Sequence, residues 1–139
     1  MNVYFACSIT GGREFESVYQ AIGHALLEMG YEVPTAYLAE PGATAVEAAI
    51  PPSEVYFRDV AWIRSCDVLV AEVSVPSHGV GYEIGFALGI GKPVLALYRK
   101  DRKITKMISG NPDKNLTLKM YATMEEAIHT LTQFLSTGG

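Results

Sequence analysis

Two carboxylates in otherwise apolar company are the residues of this chain best suited to chemistry. Glu83 lies in "GVGYEIGFALG", just past the loop "SVPSHG", in a helix whose other residues are mostly small or apolar. In the first turn of that helix a glutamate is explained by the favourable field of the helix dipole; beside a ligand it is a reagent. Asp59 shares a helical stripe with Val55, Trp62 and Ile63 by the i, i+3, i+4 rule, which turns it toward the side its helix should bury. A carboxylate there needs a partner or a purpose. A salt bridge or a loop cap supplies the first, catalysis the second. If the two meet beside an anion pocket they suit the cleavage of a glycosidic bond. One would attack or stabilise an oxocarbenium-like carbon while the other, held protonated, serves the leaving group.

Two loops could form that pocket. "SITGGRE", Ser8 to Glu14, follows an apolar run, and Gly11 and Gly12 let the backbone turn so that amide groups face an anion. It is neither GxGxxG nor a P-loop with its lysine, so a dinucleotide or triphosphate is not indicated. A tight turn with Arg13 in solvent explains it equally well. "PSHGVGYE" has the same character, with the Ser77 hydroxyl and the small Gly79 and Gly81. His78 reads as a surface residue, His24 and His129 as structural residues of amphipathic helices. No histidine, cysteine and carboxylate group has metal spacing, no GxSxG is present, and no cofactor is expected.

The elements that must position these residues follow from periodicity. Asn2 to Cys7 is a short strand. Glu14 to Met29 carries apolar residues at helical spacing and stops at Gly30, and Tyr31 to Tyr37 reads as a second strand. Leu38 to Pro52 is rich in Ala, Gly and Pro and predicts an irregular segment with a short helical turn. Ser53 is a candidate N-cap for a helix reaching about Ser65. "DVLVAEV", "KPVLALY" and "NLTLKMY" are further strands; Met124 to Leu135 is a closing amphipathic helix. Strands that alternate with helices and read as continuous apolar runs imply an α/β, doubly wound, Rossmann-like sandwich with a parallel sheet of about five strands. Ligands bind such folds beyond the carboxyl ends of the strands. The loops Ser8 to Glu14, Tyr37 to Pro52 and Ser74 to Gly81 should therefore converge.

The chain of 139 residues predicts a single domain, 1–139, with a net charge of -4. That charge opposes a broad nucleic-acid surface while leaving room for one small anionic ligand. The basic run "YRKDRKITK", Tyr98 to Lys106, reads as a solvated loop. Cys7 and Cys66 have no metal or redox spacing and read as reduced packing residues, and no signal or membrane-spanning segment is evident, so a cytoplasmic location is expected.

Together, "VYFACSITGGRE", "RDVAWIRSCDVLVAEVSVPSHGVGYEIGFAL" and "KPVLALYR" resemble the 2'-deoxynucleoside 5'-phosphate N-hydrolases of the nucleoside 2'-deoxyribosyltransferase superfamily, over Val3 to about Tyr121. The resemblance implies that Glu83 is a nucleophile forming a covalent deoxyribosyl-enzyme, that Asp59 assists base departure or orients the sugar, and that Tyr4 positions Glu83 and crowds the 2' position. It implies a substrate-binding loop of Cys7, Ser8, Ile9, Thr10, Gly11, Gly12 and Arg13, a 5'-phosphate contact from Ser77 beside Gly79, and further contacts from Tyr19 and Tyr37. It also implies a homodimer in which Asn115 completes the neighbour's phosphate site. Thr10 stands where related enzymes carry arginine, and Asn115 resembles the transferases, whereas Ser77 favours a phosphate because a serine can donate to one where an aspartate would repel it. The expected activity is hydrolysis of deoxynucleoside monophosphates to free base and 2-deoxyribose 5-phosphate. The alternatives are base exchange by a deoxyribosyltransferase and a non-catalytic nucleotide sensor.

Overall fold

The computed structural model describes residues 1–9 and 14–137. Four parallel strands, β1 (Val3–Ala6), β2 (Val68–Glu72), β3 (Val94–Arg99) and β4 (Leu116–Tyr121), lie in the order β1-β2-β3-β4. The helices are α1 (Glu16–Glu28), α2 (Ala43–Ala48), α3 (Pro52–Ser65), α4 (His78–Gly89), α5 (Lys106–Ser109) and α6 (Met124–Ser136), with a 3-10 turn at Ala36–Ala39.

The helices cover both faces of the sheet. Along β1, Val3 and Phe5 join one core cluster with Tyr19, Ile22 and Leu26 of α1 and Leu131 of α6. Tyr4 and Ala6 join the other with Ile63 of α3 and Ile84 and Ala87 of α4. This two-residue alternation is the pleat of a strand buried on both sides. It aims the Tyr4 side chain at the helices that carry the two carboxylates.

The fold is the expected α/β sandwich, but the second strand is missing. Tyr31 to Tyr37 contributes only a parallel bridge, Asn2 to Glu32, at the outer edge of β1. Pro34 has no amide hydrogen to continue a ladder. The Ala36 amide then turns back to donate to the Val33 carbonyl (3.0 Å), and the buried Thr35 hydroxyl accepts from the Phe5 amide (2.9 Å). A side chain thus serves where a neighbouring strand's carbonyl would. From this edge the chain returns through α3 to β2, on the other side of β1. The direction of winding reverses there, and a crevice opens beyond the strand ends.

One helix boundary holds and another needs correction. Helix α1 stops where expected, with Gly30 at φ 87°, a conformation that favours glycine. Ser53, however, does not cap α3: Pro51 is the N-cap and Pro52 the first helical residue, where a missing amide hydrogen is harmless.

Candidate active site

A cavity of about 660 Å³ lies in the crevice between β1, α3, α4 and the segment of α2. Its lining includes Tyr4, Cys7 and Ile9 from β1 and the following loop, Glu47 from α2, Asp59 from α3, and Ser77, Gly79 and Glu83 from the loop and helix after β2. The described parts of the three expected loops meet, the first represented by Ile9, and both carboxylates reach one chamber.

Glu83 sits in the second turn of α4, as its sixth residue, and the first turn holds no acidic residue. The capping explanation for this glutamate is therefore lost. Ser77 is the cap instead, its hydroxyl oxygen accepting from the Val80 amide at 3.2 Å. The Ser77 hydroxyl hydrogen, which has no acceptor among the described residues, and the first-turn amides of α4 give this end of the cavity donors for an anion.

The Tyr4 hydroxyl donates to Oε2 of Glu83 across 79 residues of chain. Burial pushes the Glu83 carboxyl up to about 7; the Tyr4 hydrogen bond opposes this, the nearby Asp59 charge adds to it, and Arg58 opposes it more weakly. Burial, together with Glu83, pushes the Tyr4 phenol well above its usual range, so it remains a donor. Asp59 is also raised, by burial first, against the hydrogen bond and charge of Arg58. Two half-buried carboxyls near one another share the cost of ionising, which is the environment an acid and a nucleophile require.

Asp59 has both a partner and a place in the cavity. The Arg58 Nε donates to its Oδ1 at 2.9 Å. The same guanidinium spans to Glu47, with Nη1 to Oε1 at 2.9 Å and Nη2 to Oε2 at 3.0 Å. Its plane lies 4.8 Å from the centre of the Trp62 ring and 5.9 Å from that of Tyr37. Arg58 and Glu47 escaped the sequence reading. Arg58 was visible only as the neighbour of Asp59, and Glu47 lies in the Ala- and Gly-rich stretch, where no periodicity marks a face.

The remaining expected residues divide. Cys7, Ile9 and Gly79 line the cavity, and Ser8 is fully buried between the first two. Thr10, Gly11, Gly12 and Arg13 lie outside the described residues. Tyr19 does not line the cavity: it is fully buried in the α1 core, its ring 6.4 Å from that of Phe15. Tyr37 does not line it either, and its hydroxyl donates to Oε1 of Glu47 at 3.0 Å, so it acts on the wall from behind. Asn115 precedes β4 at the amino end of the sheet, opposite the crevice, with its amide bonded to Asp113 and its carbonyl to the Val94 amide. Any part it plays in a phosphate site requires a second chain. Among the described residues no group could hold a metal ion. The basic run is not simply solvated, since Arg99 and Arg102 lie over the Phe15 ring at 4.5 and 4.8 Å and Arg102 pairs with Glu14 at 2.9 Å.

The chain and its fold have counterparts in known proteins. The family model for nucleoside 2-deoxyribosyltransferase matches residues 3–128, and the chain belongs to that family. The 5-hydroxymethyl-dUMP N-hydrolase of Mus musculus is 40% identical over 134 residues, which span 94% of this chain and 76% of the mouse chain. A Thermofilum pendens protein with a provisional 2'-deoxynucleoside 5'-phosphate N-hydrolase name is 40% identical over 137 residues, 97% of this chain and 95% of its own. The solved structure of the Clostridium botulinum CMP N-glycosidase BcmB superposes with a TM-score of 0.74 at 23% identity over 96% of this chain and 99% of that one, which shows the same fold.

Proposed function

We propose that this protein hydrolyses the N-glycosidic bond of 2'-deoxynucleoside 5'-monophosphates, releasing the base and 2-deoxyribose 5-phosphate. The convergence of Tyr4, Glu83 and Asp59 in one cavity carries the reading. The N-hydrolase names of relatives about 40% identical support the reaction class.

Glu83 uses its Oε1, because Oε2 accepts the Tyr4 hydroxyl. It forms an ester bond to the sugar's anomeric carbon as the carbon–nitrogen bond to the base breaks. Asp59, whose burial favours its protonated form, gives its proton to the departing base nitrogen. Water then attacks the same carbon, Asp59 takes the water's proton, and Glu83 leaves as a carboxylate. Ser77 and the α4 amino terminus hold the 5'-phosphate.

The protein acts as a homodimer with shared sites, Asn115 of each chain reaching the phosphate site of the other. Support comes from the outer helices, where Tyr56, Phe57 and Tyr82 are 46%, 70% and 57% exposed and join in edge contacts at 5.3 and 6.4 Å. Mixing Glu83→Ala chains with Asn115→Asp chains tests this. Heterodimers then hold one site with both defects and one with neither, so activity recovers; exchange without recovery rejects sharing. Two buried cysteines that form no disulfide fit the reducing cytoplasm.

The reaction itself is tested by comparing each deoxynucleoside with its 5'-monophosphate, with and without added free base. Hydrolysis predicts preference for the monophosphate and no new nucleotide. Preference for the unphosphorylated nucleoside with base exchange would make the protein a transferase, and binding without product a sensor.

A further inference from the structure

Among the described residues, the charged side chains that line the cavity are all acidic. Three carboxylates line it, Glu47, Asp59 and Glu83, and among the described residues no lysine, arginine or histidine does. Glu83 and Asp59 have work at the sugar. Glu47 has none there, yet it is held more firmly than either. Arg58 grips both its oxygens, Tyr37 donates to one, and the Arg58 hydrogen bonds hold its carboxyl below the usual range, so it is a fixed anion at neutral pH. Its place follows from the chain of contacts. The same guanidinium joins Asp59 to Glu47, so Glu47 lies one guanidinium beyond the leaving-group carboxylate, on α2. Resting on the reaction proposed above, that is the stretch of wall left for the base, and its neighbours Leu38, Ala48, Ile50 and Val55 are apolar surfaces suited to a ring's faces.

A carboxylate only accepts hydrogen bonds, at about four lone-pair sites. Oε1 of Glu47 takes two, from Tyr37 and Arg58, and Oε2 takes one from Arg58, which leaves one site at Oε2. We propose that Glu47 reads the base through this site and selects bases that present an exocyclic amine, rejecting those that present a carbonyl oxygen in its place. Arg58 and Tyr37 are positioning residues that keep the acceptor turned the same way in every encounter. A carbonyl facing Glu47 sets one acceptor against another with no proton between them, and both lose their water on entry.

Two pairs of nucleotides exchange the exocyclic amine for a carbonyl, together with a hydrogen gained on the neighbouring ring nitrogen: dCMP against dUMP, and dAMP against dIMP. Wild-type kcat/KM is measured for all four, and their binding to Glu83→Gln, which keeps the cavity without turnover, by calorimetry. The amine-bearing member of at least one pair should be preferred by about tenfold or more in binding and in kcat/KM. In Glu47→Gln the ratio should fall toward one, because an amide can turn to donate or to accept. Equal binding of both members in both pairs, preference for the carbonyl member, or a ratio unmoved by Glu47→Gln overturns the proposal while leaving hydrolysis intact. Amine-selective binding without base release from any nucleotide supports Glu47 as the reader and removes the hydrolase reading instead. Failure of Glu83→Gln to bind any of the four overturns the proposal, and the wild-type ratio decides independently should Glu47→Gln not fold.

Discussion

Glu83 is held between burial, which disfavours its charge, and the Tyr4 hydroxyl, which favours it. A nucleophile must be ionised, so turnover should rise with pH through about 7. Tyr4→Phe removes a hydrogen bond that lowers the Glu83 value, so the rising limb should move to higher pH, and preference for deoxy- over ribonucleotides should narrow. An unmoved limb in the pH profile would separate Tyr4 from the nucleophile. The same burial affects stability, and the sign is definite. A carboxyl raised from 4.5 to about 7 binds its proton more tightly folded than unfolded, so stability is lost as pH rises between those values. The loss is on the order of 3 kcal/mol. Glu83→Gln, which still accepts from Tyr4, should therefore melt several degrees above wild type at pH 8, with little difference at pH 4. Glu83 and Asp59 stood out in the sequence because charge amid apolar residues is conspicuous, and Tyr4 entered only through the family resemblance. Arg58 and Glu47 did not stand out, since their pairing joins a helix to a stretch without periodicity.

Elements decide where these side chains point. The Ser77 cap fixes the start of α4, and from that start Glu83 falls on the turn that faces Tyr4. Ser77→Ala should destabilise the fold by about 1 kcal/mol. It should also raise KM for monophosphates more than for unphosphorylated nucleosides, a split that steady-state kinetics would show and a purely structural cap would not. The edge of β1 rests on one hydroxyl. Thr35→Val leaves the Phe5 amide buried without its acceptor and should cost about 1–3 kcal/mol in denaturant unfolding. Strands β2 and β3 were readable as apolar runs, and α1 by its spacing and its terminal glycine. The misreading of Tyr31 to Tyr37 has a local cause: "YEVPTAY" has the composition of a strand, but Pro34 and the Thr35 hydroxyl replace a ladder with a turn. The α4 start was misjudged for the opposite reason, because glycines at 79 and 81 read as loop although both are helical.

At the scale of the molecule, one sheet buried on both faces holds the crevice rigidly at its carboxyl edge, and the outer surface of α3 and α4 is left aromatic. Through the proposed homodimer, Phe57→Glu, at a residue 70% exposed, should halve the mass seen by light scattering while leaving the melting temperature of the fold nearly unchanged; an unchanged mass would remove that proposal. The family and its fold were legible because their motifs run through nearly the whole chain, whereas the apolar outer face shows only once the helices are oriented. The central claim is that Glu83 drives N-glycosidic hydrolysis, and product analysis tests it most directly. Wild-type and Glu83→Gln proteins are incubated with dCMP, dAMP, dGMP and dTMP, and free base and 2-deoxyribose 5-phosphate are both quantified. The wild type should release the two products in equal amounts from at least one substrate, and Glu83→Gln should do so at least about a thousandfold more slowly. No base from any substrate, or a variant within tenfold of wild type, would contradict the account.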